Sequence, residues 1–336
     1  MSDHREDAAA TRRAGAGLER VPKLDASILP RSTVEIALNC AGFFVGLLIM
    51  IGDYLGAGRS LEPKHWEFLE SPQAMVWILL VAGQFAFWAT VVEPLWRWRS
   101  HLRRDYGLRM TREIRLKLAA AIVFFALPGF FLVRIVPDSN LAHHDLKMGL
   151  VNLIAMLVAL VAVTGIWSVR AALEATFAGR GPGGRPVHSI PEGIRVLLDL
   201  RGELQRFITL LGAMVALSTL AKGALRQAFL ATGGHPAEFP AEYVLLQGAY
   251  FTGLLALVYI PTYTVLAAIG ADLVESTYPL TGPDLDWETL SQWQANRKSL
   301  EELLQLHSGA VENLKASVSI LAPAATSVIT VLLGTK

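Results

Sequence analysis

Six long apolar segments constrain the fold of this chain more than any other feature. A helix that crosses a membrane needs about 20 mostly apolar residues, and in lipid a helix satisfies its own backbone hydrogen bonds. Six segments meet this requirement: Val34–Leu55, Ala74–Leu95, Leu116–Val136, Leu150–Val169, Phe207–Leu230 and Val244–Gly270. They predict an all-α, polytopic integral membrane helix bundle of six spans.

The distribution of basic residues predicts the orientation of these spans. Of the 30 lysines and arginines, 24 lie in the leader, in 97–117, in 170–206 or after residue 276, and only six lie in or beside the alternate loops. An excess of Lys and Arg in short loops marks the cytoplasmic face of a membrane protein. The pattern predicts a bacterial inner-membrane protein with both termini in the cytoplasm.

Composition narrows the class of protein further. Hydrophobic residues make up 53% of the chain and charged residues only 18%, against about a quarter charged in soluble domains. The formal net charge of +1 gives no reason to expect nucleic acid as a partner. The expected partner of the six spans is the lipid bilayer. Residues 1–33 are polar and lack an early apolar stretch, which predicts a disordered cytoplasmic leader and no cleaved signal.

Two Gly/Pro-rich segments divide the rest of the chain. Residues 180–193 form a break, and residues 195–207 then show apolar residues at helical spacing, which predicts an amphipathic segment along the inner surface before the fifth span. Residues 278–286 form a second break. The predicted domains are therefore a membrane domain, 34–275, and a cytoplasmic helical tail, 276–336.

The tail reads as an amphipathic helix that needs a partner surface. Ser299 and Glu302 have the spacing of a capping box, which would begin a helix there unless a longer helix starts near Trp287. An apolar stripe follows at helical spacing: Leu300, Leu303, Leu304, Val311, Leu314, Val318 and Leu321. Because Pro323 interrupts the end of the tail and small residues surround it, 299–333 is predicted to mediate self-association, with a cytoplasmic protein as a further partner. A re-entrant element or a seventh span over 317–334 is the alternative.

Catalytic and metal-binding motifs are missing from the sequence. It contains no Gly-x-Ser-x-Gly, no His-Glu-x-x-His and no phosphate loop, so no enzymatic activity, catalytic residue or cofactor is expected. His143, His144 and Asp145 offer metal ligands, but adjacent histidines rarely face one ion, and a solvated loop is expected instead. The single cysteine, Cys40, is expected to be a small buried hydrophobe.

Four charged residues within or beside the spans are the candidate binding residues: Glu93, Arg134, Lys222 and Arg226. Glu93 lies four residues before Arg97, so a local ion pair explains it. Arg134 lies near the outer end of its span. Lys222 and Arg226 share one helical face and form either a cationic outer vestibule that attracts anions or two anchors that reach outward, with Glu238 or Glu242 as partners.

These features predict a non-enzymatic, oligomeric inner-membrane protein. It would act as a pore or channel, or as a signalling or effector scaffold, assembled partly through its C-terminal helix. The alternative is a secondary transporter built from two inverted three-helix halves, in which Pro128 and Pro261 would lie in equivalent helices.

Overall fold

A computed structural model describes residues 28–56, 61–106, 116, 141–177, 189–279 and 287–306. Within these ranges the chain forms helices and no strands, in agreement with the all-α prediction. The helices are α1 (Ile28–Gly56), α2 (Pro63–Glu70), α3 (Pro72–Asp105), α4 (His144–Phe177), α5 (Ile190–Ala231), α6 (Ala241–Thr277) and α7 (Trp287–Leu303).

Five of these helices are long and apolar enough to cross a membrane: α1, α3, α4, α5 and α6. They contain the first, second, fourth, fifth and sixth predicted spans. The third predicted span, Leu116–Val136, lies almost entirely outside the described residues, and so do the leader and the tail beyond Leu306.

The fifth span is longer than the sequence pattern predicts. Helix α5 runs without interruption for 42 residues, so the predicted surface segment 195–207 forms the first turns of this helix. No proline lies between Pro191 and Pro236, and Leu197, Leu200 and Leu204 continue the buried face of the span. At 1.5 Å per residue, α5 is about 63 Å long, roughly twice the thickness of a hydrocarbon core of about 30 Å.

The chain divides into two compact units, residues 1–38 and 39–336. Of the first unit the structure describes residues 28–38, which are helical, with every described side chain exposed. In the second unit α5 lies at the centre, because it packs against α3, α4 and α6. Its core is filled by large buried side chains, among them Trp77, Leu95, Ile166, Leu173 and Phe207.

Helix α1 crosses α3 at a pair of glycines, Gly42 and Gly46. A Cβ atom at Gly42 would lie 2.6 Å from the backbone oxygen of Phe85, and one at Gly46 would lie 2.8 Å from Cα of Ala82. Glycines four residues apart allow two helix backbones to approach this closely in a membrane. Few described side chains of α1 are buried, and Cys40 is exposed rather than buried as predicted.

Candidate functional site

The junction between α7 and the bundle brings charged and apolar side chains from three helices together. Leu300 and Leu304 of α7 are buried, whereas Leu303 is exposed. A Cβ atom at Gly270 of α6 would lie 2.8 Å from Cδ2 of Leu306, so this leucine occupies the space left by the glycine. We call this set of contacts the tail junction, defined by Arg201, Gly270, Glu275, Arg297 and Leu304.

The end of α7 has a defined backbone geometry. Gln305 adopts a left-handed conformation with φ of 49°, the Leu306 N–H donates to the Glu301 carbonyl at 2.9 Å, and the Gln305 N–H donates to the Glu302 carbonyl at 2.9 Å. This pair of hydrogen bonds is the Schellman arrangement that ends a helix. The predicted apolar stripe therefore does not continue as one helix past Leu304.

The structure decides between the two predicted starts of the tail helix, Ser299 and Trp287. The helix starts at Trp287, and the Ser299 hydroxyl donates to the Ala295 carbonyl at 2.9 Å from within the helix. The prediction that a capping box at Ser299 and Glu302 begins the helix is wrong, and the predicted longer helix from Trp287 is confirmed.

Arg201 of α5 binds the C-terminal end of α7. Its side chain is 7% exposed, and its guanidinium donates a hydrogen bond to the Leu304 carbonyl. A helix leaves its last carbonyls without partners within the helix and carries partial negative charge at this end, so a cation is favourable there. The Nε atom of Arg201 is buried and has no hydrogen-bond partner among the described residues.

Arg297 of α7 forms the second half of the junction. Its guanidinium donates to Glu301 at 3.0 Å, to Glu275 of α6 at 3.0 Å and to the Tyr278 carbonyl, and it lies 5.9 Å from the centre of the Trp293 ring. The hydrogen bonds to Glu275 and Glu301 raise the pKa of Arg297 above its ordinary value. Arg297 therefore ties α7 to the end of α6.

A cavity of about 440 Å³ lies between the end of α3 and α5. Leu102 and Leu200 give it apolar walls, and His101 and Asp199 are exposed polar groups at its edge. Its lining residues are His101, Leu102, Tyr106, Leu198, Asp199, Leu200, Gly202, Glu203 and Arg206. This volume is within the range of about 300–1,000 Å³ that is usual for sites holding a small molecule or a side chain.

Two of the predicted candidate residues are explained by local contacts or lie outside the described part. Glu93 forms the predicted ion pair with Arg97, and both side chains are largely exposed. An exposed pair of this kind within one helix stabilises little and indicates no binding site. Arg134 lies outside the described residues.

Lys222 and Arg226 have different surroundings although they share one face of α5. Arg226 donates from Nε to the Phe239 carbonyl at 2.8 Å, which fixes the turn between α5 and α6. Neither residue forms an ion pair with Glu238 or Glu242 in the described structure. Lys222 is only partly exposed, and no hydrogen bond or ion pair joins it to another described residue.

A buried ion pair at the opposite end of the bundle escaped the sequence analysis. The Lys147 ammonium lies 2.9 Å from Oδ2 of Asp53, donates to the Met50 carbonyl at 2.8 Å, and lies 5.6 Å from the centre of the Tyr54 ring. The carboxylate is close enough for an ion pair but is not aligned for a hydrogen bond. Asp53 and Lys147 are 94 positions apart, so no local spacing indicated this pair.

The first turn of α4 also corrects the predicted solvated loop. His144 begins α4 and is buried, with its ring centre 6.2 Å from that of Trp77, whereas His143 and Asp145 are exposed. Among the described residues no group of three or more His, Cys, Asp or Glu side chains could hold a metal ion. The glycines Gly42 and Gly46 were also missed, although their four-residue spacing in an apolar segment is a readable signal.

Polar side chains inside the bundle show two kinds of environment. Gln84 donates to the Leu217 carbonyl at 3.0 Å and so joins α3 to α5. In α6, Oε1 of Gln247 and Oγ1 of both Thr252 and Thr262 are buried without a hydrogen-bond partner among the described residues. Buried polar atoms without partners are costly in a membrane, so such atoms usually receive a hydrogen bond from another group or from water.

Comparison with protein-family models, with curated proteins and with solved structures gives no match.

Proposed function

We propose that this chain is a non-enzymatic, oligomeric scaffold of the bacterial inner membrane. Residues 276–336 lie in the cytoplasm and link the bundle to further copies of the chain and to a cytoplasmic protein. The tail junction is the observation that supports this role. Arg201 belongs to α5, Glu275 belongs to α6, and both bind α7.

The junction gives a physical route between the tail and the spans. A partner that binds the tail and displaces α7 must break contacts to α5 and to α6 at once. A ligand shifts an equilibrium only by its differential affinity for two states, and these contacts exist in the docked state alone. The cavity beside α5 adds a second place at which a partner side chain could bind.

The orientation proposed here depends on the distribution of basic residues and is tested by thiol labelling. In a Cys40-free background, a cysteine at His143 should react with an impermeant reagent added outside intact cells. A cysteine at Arg103 should react only after permeabilisation, since both positions are exposed. Labelling of the Arg103 position in intact cells would contradict the proposed orientation.

A pore is the second candidate, because three polar oxygen atoms of α6, on Gln247, Thr252 and Thr262, are buried without a hydrogen-bond partner among the described residues, and water is the usual partner of such atoms. Conductance of the purified protein in planar bilayers would favour it. The transporter alternative gains less support: α6 continues through Pro261 without a break, although unwound helices are typical of transporter sites. Saturable uptake coupled to a counter-ion would favour the transporter.

The proposed assembly role is tested by removing the end of the tail. Deletion of 317–336 should lower the oligomeric state in detergent, measured by light scattering after size-exclusion chromatography, while membrane insertion stays intact. Deletion of 2–27 is the control and should leave the oligomeric state unchanged. An unchanged oligomeric state in the tail deletion would rule out assembly through this segment.

A further inference from the structure

Lys222 lies on the face of α5 that packs into the bundle. Residues three or seven positions away share one face of a helix, and for Lys222 these include Thr219, Leu225 and Phe229. All three are buried. The nearest neighbours of Lys222 on this face, Ser218 and Arg226, are partly exposed, as is Lys222 itself. Lys222 therefore lies where a buried face of α5 becomes accessible from outside the bundle.

The ammonium of Lys222 has unused hydrogen-bonding capacity. It carries three N–H donors, and none of them reaches another described residue. A charge inside a membrane bundle is expensive unless a partner of opposite charge or good hydrogen bonds accompany it. In the described structure neither Glu238 nor Glu242 provides that partner.

Further donors lie one turn away on each side of Lys222. Ser218 and Arg226 are its neighbours at four residues, so their side chains lie on the same face of α5. Arg226 donates from Nε to Phe239, which leaves four other N–H groups on its guanidinium. The face therefore combines an ammonium, a guanidinium and a hydroxyl.

We propose that Lys222 binds a small monovalent inorganic anion, with the Ser218 hydroxyl and Arg226 as the neighbouring donors. Such an ion is compact and supplies the opposite charge that no described residue supplies to Lys222. A lipid phosphate carries the same charge, but the buried residues Thr219 and Leu225 flank Lys222 closely and favour a compact ion over a headgroup. This site goes beyond the proposed scaffold role and does not depend on the tail junction.

Chloride is the probe, with the full-length protein held in nanodiscs of zwitterionic lipid. Thermal unfolding is measured while sodium chloride replaces sodium gluconate at constant ionic strength. The unfolding midpoint of the wild type should rise with chloride concentration, because a ligand that binds only the folded state stabilises it. Lys222→Gln should weaken chloride binding by at least about tenfold, and Lys222→Arg should retain it. The matched control is Lys64→Gln, at an exposed lysine paired with Glu62, and it should behave like the wild type.

Three results would overturn the site. The first is an equal chloride response in Lys222→Gln and the wild type. The second is a wild type that is stabilised by added anionic lipid but not by chloride, which would assign a lipid headgroup to the site instead. The third is a thermal unfolding midpoint of the wild type that does not depend on chloride. This measurement needs no variant, so it tests the anion site even if Lys222→Gln fails to fold. The oligomeric state of the tail deletion is read separately, so failure here leaves the scaffold proposal intact.

Discussion

Replacing Lys147 by Met should destabilise the bundle, and the structure indicates by how much. The Lys147 side chain is 6% exposed and lies 2.9 Å from the Asp53 carboxylate, which is 34% exposed. With an effective dielectric constant of about 20, the gross attraction at this distance is about 5–6 kcal/mol. Most of it is offset by the cost of removing the two charges from water.

The loss caused by Lys147→Met has two parts. Breaking a fully buried pair costs about 3–5 kcal/mol, but Asp53 can regain water, so its share should be about 1–2 kcal/mol. The Met50 carbonyl loses a hydrogen bond from a charged donor, which contributes about 1.5–3 kcal/mol. We expect a total loss of about 2.5–5 kcal/mol in the free energy of unfolding. Asp53→Leu should cost about as much, because it leaves the buried Lys147 ammonium without its counter-charge. The two changes together should show a coupling energy of about 1–2 kcal/mol.

The assay is denaturation of the purified protein by SDS in mixed micelles, followed by tryptophan fluorescence. Trp66 and Trp77 report on this end, since Trp66 contacts Tyr54 and Trp77 lies beside His144. The matched control is Lys64→Met, which removes an exposed lysine from the same end and should leave the midpoint unchanged. A coupling energy indistinguishable from zero would refute the reasoning, as would a Lys147→Met variant as stable as the wild type.

Two further predictions concern helix contacts. Arg297→Gln should release α7 and accelerate amide hydrogen exchange in 287–306. Lys298→Gln removes a largely exposed charge one residue away and should leave the exchange unchanged. Equal exchange in the two variants would contradict the tail junction. Gly42→Val should overpack the crossing of α1 and α3 and destabilise the protein by about 1–3 kcal/mol, measured by the same SDS assay. Gly52→Val in the same helix has no atom near its added Cβ and serves as the control, and equal losses in the two variants would show that the crossing is not tight.

The sequence alone determined the features that depend on local spacing and composition. Five of the six predicted spans coincide with long helices, because about 20 apolar residues are sufficient to specify a membrane-crossing helix whatever its neighbours are. The pair of Glu93 and Arg97 was also predictable, since residues four apart on a helix always lie side by side.

Only the tertiary structure decided which charged groups are buried and where helices end. Lys147 reads as a loop residue in the sequence, and its burial depends on Asp53 from a distant helix. The apolar stripe of the tail reads as one helix, yet it ends near Leu304, where Gln305 turns left-handed and Arg201, 103 positions away, binds the last carbonyl. Sequence spacing reports neighbours within one helix, whereas the free energy of a buried charge or a free carbonyl is set by groups that only folding brings within hydrogen-bonding distance.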